Sequence, residues 1–218
     1  MKKITFIGLG VMGFPMAGHL SNQGYKVTVY NRSEEKSKLW IKKYAGNYST
    51  SVSEAVADSD IVFSCVGNDS DLRDITLGHD KAFSGMKAGS VFVDHTTTSS
   101  DIAIELSEIA KKYNIHFLDA PVSGGEVGAL KGELTVMIGG ENLIFDRINS
   151  IIRAYAKNIT LIGGPGKGQL AKMVNQICIA GLIQALSEAI SFSEKSGLDT
   201  KKAVSYTHLR AHETLPYR

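Results

Sequence analysis

Ile4-Thr5-Phe6-Ile7-Gly8-Leu9-Gly10-Val11-Met12-Gly13 decides the fold. A short apolar run reads as a strand, G-x-G-x-x-G follows at once, and residues 14–23 then carry a helical pattern. The order matters more than the glycines. A dinucleotide pyrophosphate needs backbone N–H groups at a helix N-terminus with no Cβ in the way, and strand–turn–helix supplies them. Gly8 permits the tight turn, Gly10 lets the backbone approach the phosphates, and Gly13 lets the helix pack on the strand. Cofactor contacts are expected along Gly8, Leu9, Gly10, Val11, Met12 and Gly13. The alternative is a glycine-rich turn that binds nothing.

The second strand, residues 26–30, bears on which dinucleotide. The position after it faces the adenosine ribose, and an acid there accepts from the 2′-OH and selects NAD. Here stand Asn31, Arg32 and Ser33. Arg32 can fork onto a 2′-phosphate and Ser33 can donate to it, which favours NADP over NAD. A solvated arginine at a strand end is the competing reading.

Further strand patterns fall at 61–66, 90–94, 115–118, 134–138 and 159–162, with helical patterns between them. Their β-branched and apolar runs suit strands buried on both faces. The alternation implies an α/β fold, a Rossmann-type, doubly wound, mostly parallel sheet. At 101–113, Ile102, Leu106, Ile109 and Ala110 share one helix face. A break follows at Gly163-Gly164-Pro165-Gly166-Lys167-Gly168, then a long helix at 169–196 with no charge between Lys172 and Glu188. That uncharged run is shorter than the ~20 apolar residues that span a bilayer, so a helix buried between domains or subunits is expected. The domains expected are 1–163, a dinucleotide-binding Rossmann domain, and 164–204, the start of an all-α domain.

A net charge of +2 gives no electrostatic footprint for nucleic acid or an anionic membrane. Cys65 and Cys178 are the only cysteines, each in an apolar run, so buried free thiols in a reducing cytoplasm are expected. Glycines interrupt the N-terminal apolar stretch, so no secretory signal is read there.

Three more motifs offer chemistry. Cys65-Val66-Gly67-Asn68, with Thr97 after the strand at 90–94, could line the nicotinamide ribose or simply cap helices. Ser123-Gly124-Gly125 offers a hydroxyl and free N–H groups, a nest for a small carboxylate or a plain helix start. Lys172 and Asn175 point the same way from one helix. Desolvation at the edge of the uncharged run would lower the lysine's pKa toward neutrality, whereas a snorkelling lysine would keep its own.

Together, GLGVMGFPMAGHL at 8–20, DAPVSGG at 119–125 and GPGKGQLAKMVNQ at 164–176 resemble the β-hydroxyacid dehydrogenase family. The resemblance runs in order from residue 1 to about 203. It implies hydride transfer between NADP and a small β-hydroxyacid or short aldehyde acid. It also implies Lys172 as catalytic acid/base, Ser123, Gly124 and Gly125 on the substrate carboxylate, Asn175 assisting, and Thr97 beside the cofactor. A homodimer or higher oligomer through the 169–196 helix is expected. The competing readings are an imine reductase of related fold, against which Lys172 argues, and a non-catalytic NADP-binding protein or inactive fragment. Residues 205–218 depart from the family's helical pattern and read as a non-native or disordered end, which would leave the helical domain cut short and turnover weak. His208 and His212 lack the H-E-x-x-H arrangement, so no metal is expected.

Overall fold

The computed structural model describes residues 2–203. The expectation for 205–218 lies outside the described residues. The strands are β1 (Lys3–Ile7), β2 (Lys26–Tyr30), β3 (Asn47–Tyr48), β4 (Ile61–Ser64), β5 (Val91–Asp94), β6 (His116–Asp119), β7 (Val122–Ser123), β8 (Leu134–Gly139) and β9 (Ala156–Gly163). Between them run α1 (Gly13–Asn22), α2 (Glu34–Lys43), α3 (Val52–Val56), α4 (Asp69–Thr76) and α5 (Ala82–Gly85). Then come α6 (Ser100–Lys112), α7 (Gly125–Lys131), α8 (Asn142–Ile152) and the long α9 (Lys167–Lys195).

The sheet order is β3-β2-β1-β4-β5-β6-β8-β7, with β9 also paired to β8. The first six strands are parallel neighbours, and β8 runs antiparallel to β6 and β7 but parallel to β9. This is the Rossmann-type, doubly wound arrangement. The order reverses between β1 and β4, which is where such sheets open a crevice at the strands' C-terminal ends. The two-residue strands β3 and β7 carry no sequence period and could not be read in advance. β4 stops at Ser64 rather than at 66, because Val66 N–H turns away to the Thr96 hydroxyl at 3.0 Å.

Alternate residues of each strand feed opposite cores. Phe6, Phe63, Val91 and Val93 join Met16, Leu20 and Trp40 on one face, while Ile7, Val62 and Phe92 join Phe83, Ile102 and Leu106 on the other. Both faces are covered, so the strands read as continuous apolar runs rather than alternating ones. On α6, Ile102, Leu106 and Ala110 are buried and Ile109 is partly so.

Polar groups fasten the strand ends. Asp94 Oδ1 accepts from Ser64 Oγ at 2.7 Å, Thr96 Oγ1 at 2.6 Å and Thr96 N at 3.1 Å, and Oδ2 is buried with no partner among the described residues. The buried His95 Nδ1–H donates to Ala120 O at 2.6 Å, and its Nε2 accepts from the Tyr155 hydroxyl at 2.7 Å. Burial takes the imidazole pKa down to about 4, so the ring is neutral.

The chain forms two compact units, Met1–Lys172 and Met173 onward. The first passes the glycine-rich break because the opening turn of α9 is bonded to the sheet. In the second, Val174, Ile177, Leu182 and Phe192 are each more than 60% exposed. Cys178 is exposed as well, against the expectation of a buried thiol, because it shares this uncovered helix. Although the uncharged run is short, α9 as a whole is long and apolar enough to cross a bilayer by length and composition. Leu198 N–H bonds back to Ser193 O at 3.0 Å, with Gly197 at φ +69° closing the helix.

Asp94 makes stability depend on pH. Burial first, then the Asp119 charge, pushes its carboxyl up to about 7 from 3.8. Its contribution is therefore full below pH 3.8 and is lost as pH rises to about 7, where the folded chain must ionise a buried group. Asp94→Asn keeps an acceptor oxygen for Ser64 and Thr96 and cannot ionise. In urea unfolding its stability relative to wild type should rise by on the order of 2–4 kcal/mol between about pH 4 and pH 7.5, then level off.

Candidate functional site

The fingerprint turn behaves as its residue types require. Gly8 sits at φ +93°, and a Cβ there would collide with the Cys65 carbonyl. A Cβ on Gly13 would strike Gly8 O and the Phe6 ring, so only glycine lets α1 lie this close to β1. Around Gly10, by contrast, nothing approaches within 4 Å of a built Cβ. The backbone there borders open space. α1 has no side-chain cap and no acid in its first turn, so its N-terminal N–H groups and positive dipole end are free of internal anionic partners. This is a cradle into which a pyrophosphate fits.

A cleft of about 640 Å³ opens at this turn. Gly8 and Gly10, Asn31, Arg32 and Ser33, and Val66 and Gly67 line it, so the structure brings most of the expected cofactor residues together. Leu9 is buried beneath it, Val11 is 65% exposed, and Met12 and Gly13 open α1. Another cavity, of about 630 Å³, lies at the opposite ends of β1 and β2 beside Lys3, Lys26 and Asp58. It carries no fingerprint, and open α/β sheets bind ligands at the carboxyl ends of their strands.

Three side chains are engaged differently from the expectation. Asn31 Oδ1 accepts from Leu9 N–H at 2.9 Å and its Nδ2 donates to Ser33 O at 3.0 Å, so its amide braces the turn. Asn68 caps α4, accepting from Asp71 N–H at 3.0 Å, which is the capping role weighed for this loop. Arg32 Nη1 lies 3.3 Å from Asp71 Oδ1. With the Arg32 side chain 89% exposed, that pair is held loosely. Sequence reading missed Asp71, which stands in the first turn of α4, on a different crossover, and has no local signature.

The residues assigned to the substrate and its chemistry lie outside the cleft's lining, and so does Thr97, which was expected beside the cofactor. Thr97 follows β5 and is exposed. Ser123 closes β7, paired with Thr135 on β8, rather than capping a helix. Gly124 and Gly125 follow, exposed and at φ +126° and +60°, conformations that suit glycine. Lys172 is 8% exposed, and burial lowers its pKa. Among the described residues its ammonium has no hydrogen bond or ion pair, so desolvation alone acts on it. Asn175, one turn on and in the second unit, donates to Gln176 Oε1 at 3.3 Å.

Two further residues went unread. Asp119 is fully buried and takes Gly166 N–H on Oδ1 at 2.7 Å and Gln169 N–H on Oδ2 at 2.9 Å. It caps α9 from a distant strand, where the local Gly163-Gly164-Pro165-Gly166 offers no capping side chain. Gln169 is also fully buried, donating from Nε2 to Thr96 O at 2.7 Å and accepting from Thr98 N–H on Oε1 at 3.1 Å. The one available signal was an aspartate closing an apolar run, ahead of a helix that lacks its own cap.

Comparison with known proteins agrees with this geometry. A family model described as the NAD binding domain of 6-phosphogluconate dehydrogenase matches residues 3–163. One described as NAD-binding of NADP-dependent 3-hydroxyisobutyrate dehydrogenase matches 166–208. An uncharacterized oxidoreductase of Shewanella frigidimarina is 52% identical over 94% of this chain and 70% of its own length. The 2-hydroxy-3-oxopropionate reductase of Escherichia coli is 37% identical over 90% of this chain and 67% of its own. Among solved structures, a Mycobacterium tuberculosis 3-hydroxyisobutyrate dehydrogenase with L-serine superimposes with a TM-score of 0.86 at 30% identity, covering 91% of this chain and 67% of that one. An imine reductase from Myxococcus stipitatus, with a TM-score of 0.89 at 21% identity over 98% of this chain and 73% of that one, shares the fold. The chain spans 60–70% of the length of its curated relatives. With a pyridine-nucleotide domain over most of its length and oxidoreductase relatives matching some nine-tenths of it, the chain belongs to the β-hydroxyacid dehydrogenase family.

Proposed function

We propose that this protein is an NADP-preferring oxidoreductase acting on a small β-hydroxyacid or short aldehyde acid. One observation carries the reading. A lysine with no counter-charge among the described residues, Lys172, is buried at the start of a helix that is bonded to the carboxyl ends of a dinucleotide-binding sheet. Relatives named for 3-hydroxyisobutyrate and for 2-hydroxy-3-oxopropionate support the substrate class. The same lysine favours this reading over an imine reductase, since it serves proton transfer at a hydroxyl oxygen.

When bound, the nicotinamide supplies the hydride for reduction or accepts it in oxidation. Lys172 handles the proton. In its charged form it gives a proton to the carbonyl oxygen and stabilises the developing alkoxide, and in its neutral form it takes the hydroxyl proton back. Burial lowers its pKa, bringing both forms nearer to neutral pH. Reduction should therefore slow as pH rises through that pKa, and oxidation should speed up. The Ser123 hydroxyl and the N–H groups of Gly124 and Gly125 receive the substrate carboxylate, which holds the reacting carbon in place. Asn175 assists in binding the substrate. The substrate is a small carboxylate and the work is cytoplasmic. Self-association uses α9, whose exposed Ile177, Leu182 and Ile183 form an apolar surface of the kind that marks interfaces.

Arg32 and Ser33 set the preference for NADP, with Thr97 and Val66 toward the nicotinamide side. Asp71 competes with a 2′-phosphate for Arg32, but the exposed pair yields readily.

In the full-length protein, Lys172→Ala should cut turnover by roughly 10²–10⁴-fold while NADPH binding stays near wild type. Lys172→Arg should not restore the rate, because arginine keeps its proton at working pH. Steady-state rates with NADPH and a panel including glyoxylate and succinic semialdehyde decide this. An alanine variant retaining more than about a tenth of the rate would remove Lys172 from the mechanism.

Cofactor choice is tested by titration. NADPH should bind more tightly than NADH, and Arg32→Asp should weaken NADPH by about tenfold or more. Asp71→Asn should shift the preference the other way, toward NADPH. Equal affinities in the unmodified protein would contradict the NADP reading.

A further inference from the structure

Gln169 touches both sides of one residue. Its side-chain amide donates to Thr96 O at 2.7 Å and accepts from Thr98 N–H at 3.1 Å, so it brackets Thr97 as a neighbouring strand would. The bracketed side chain itself is exposed. The same residue's backbone N–H is held by Asp119 Oδ2 at 2.9 Å, and Asp119 Oδ1 holds Gly166 N–H at 2.7 Å. A Cβ on Gly168 would lie 2.5 Å from Met137 O and 2.8 Å from Asp119 O, so the helix start is pressed against the sheet. Lys172 stands three residues after Gln169, on the same helix face.

The loop beyond β5 is tied in from its other side too. The Thr96 hydroxyl accepts Val66 N–H at 3.0 Å and donates to Asp94 at 2.6 Å. One unbroken set of bonds, buried apart from the half-buried one at Val66, thus runs from the cofactor-side loop after β4, through residues 94–98, to the first turn of α9. A helix that only needed anchoring would need the Asp119 cap alone. Two further bonds, bent around Thr97, fix where that loop sits relative to Lys172.

We infer that Gln169, with Asp119 beneath it, is a positioning residue that sets the Lys172 ammonium in register with the loop presenting Thr97. The inference rests on Lys172 being the acid/base, so its test reads the lysine directly as well as through turnover. A buried amide with both of its bonds to backbone has one orientation, and the helix turn that carries Lys172 inherits it. Without those bonds the turn is free to shift, and the ammonium gains access to water.

The test uses the full-length protein with Gln169→Met, which keeps nearly the same volume and loses both bonds. Gln169→Leu is the second variant, which is likewise uncharged and loses both bonds, so that no new charge acts on Lys172. The pH titration of Lys172 is followed by ¹³C NMR of reductively methylated protein, with the resonance assigned by its loss in Lys172→Arg. Turnover per folded molecule is measured alongside. The Lys172 titration should move upward by about one pH unit or more in both variants, as desolvation is relieved. The turnover rate should fall by roughly 10²-fold, the scale of an ångström-level misplacement.

A Gln169 that served the fold alone would lower the melting temperature and leave the titration and the rate per folded molecule unchanged. That result overturns the inference. If Gln169→Met does not fold, Gln169→Leu is read by the same two measurements and the same criterion. If the titration moves while neither these variants nor Lys172→Ala lose turnover, the positioning of Lys172 stands and its acid/base role fails.

Discussion

A parallel sheet buried on both faces is the constraint from which the rest follows. Parallel neighbours cannot be joined by tight hairpins, so each strand must return through a crossover, here mostly helices packed on one face or the other. Every crossover leaves from a carboxyl end, which gathers the loops after β1, β2, β4, β5 and β6 along a single edge of the sheet. Where the order reverses between β1 and β4, two of those loops diverge and a cleft opens. The glycines of the first turn follow from that geometry. Gly8 and Gly13 are forced by close contacts with Cys65, Phe6 and each other, and Gly10 faces open space.

The same edge concentrates buried polar groups, and these do two kinds of work. Asp119 has its burial offset by the backbone N–H groups of a helix start, which is an efficient arrangement because the helix brings unpaired donors of its own. Asp94 is less well compensated, since three donors crowd one oxygen and the other has none. Its carboxyl therefore titrates near neutrality while it fastens β4, β5 and the loop carrying Thr96. His95 and Tyr155 complete the layer as a neutral pair. Such fully enclosed bonds permit few alternative arrangements, so they define the relative placement of the loops more sharply than apolar packing does.

At the adenosine end the chemistry is looser and exposed. Arg32 reaches into solvent and rests on Asp71, a residue from a different crossover. Cofactor preference is then a competition between two anions for one guanidinium, and the local composition after β2 states only half of it. The α9 helix presents the opposite case. Its apolar residues occupy most of its circumference, and from Met173 onward nothing within the described residues covers them.

What the sequence determined by itself was local. Strand runs, the fingerprint turn, the helix read at 101–113 and the long helix with its uncharged run were all legible, because periodicity and glycine spacing depend on neighbours within a few residues. The Rossmann-type class and the family motifs were legible for the same reason, each motif being contiguous, whereas the strand order came from the folded chain. Tertiary structure alone decided which polar side chains were already in use. Asn31 braces the turn it was expected to serve from outside, Asp71 meets Arg32 across 39 residues, and Asp119 caps a helix 47 residues away. A hydrogen-bonding group has no sequence period, and its partner is set by where the crossovers bring distant strand ends together. For that reason the capping of α9 and the bracket on Thr97 could be found only in the folded chain.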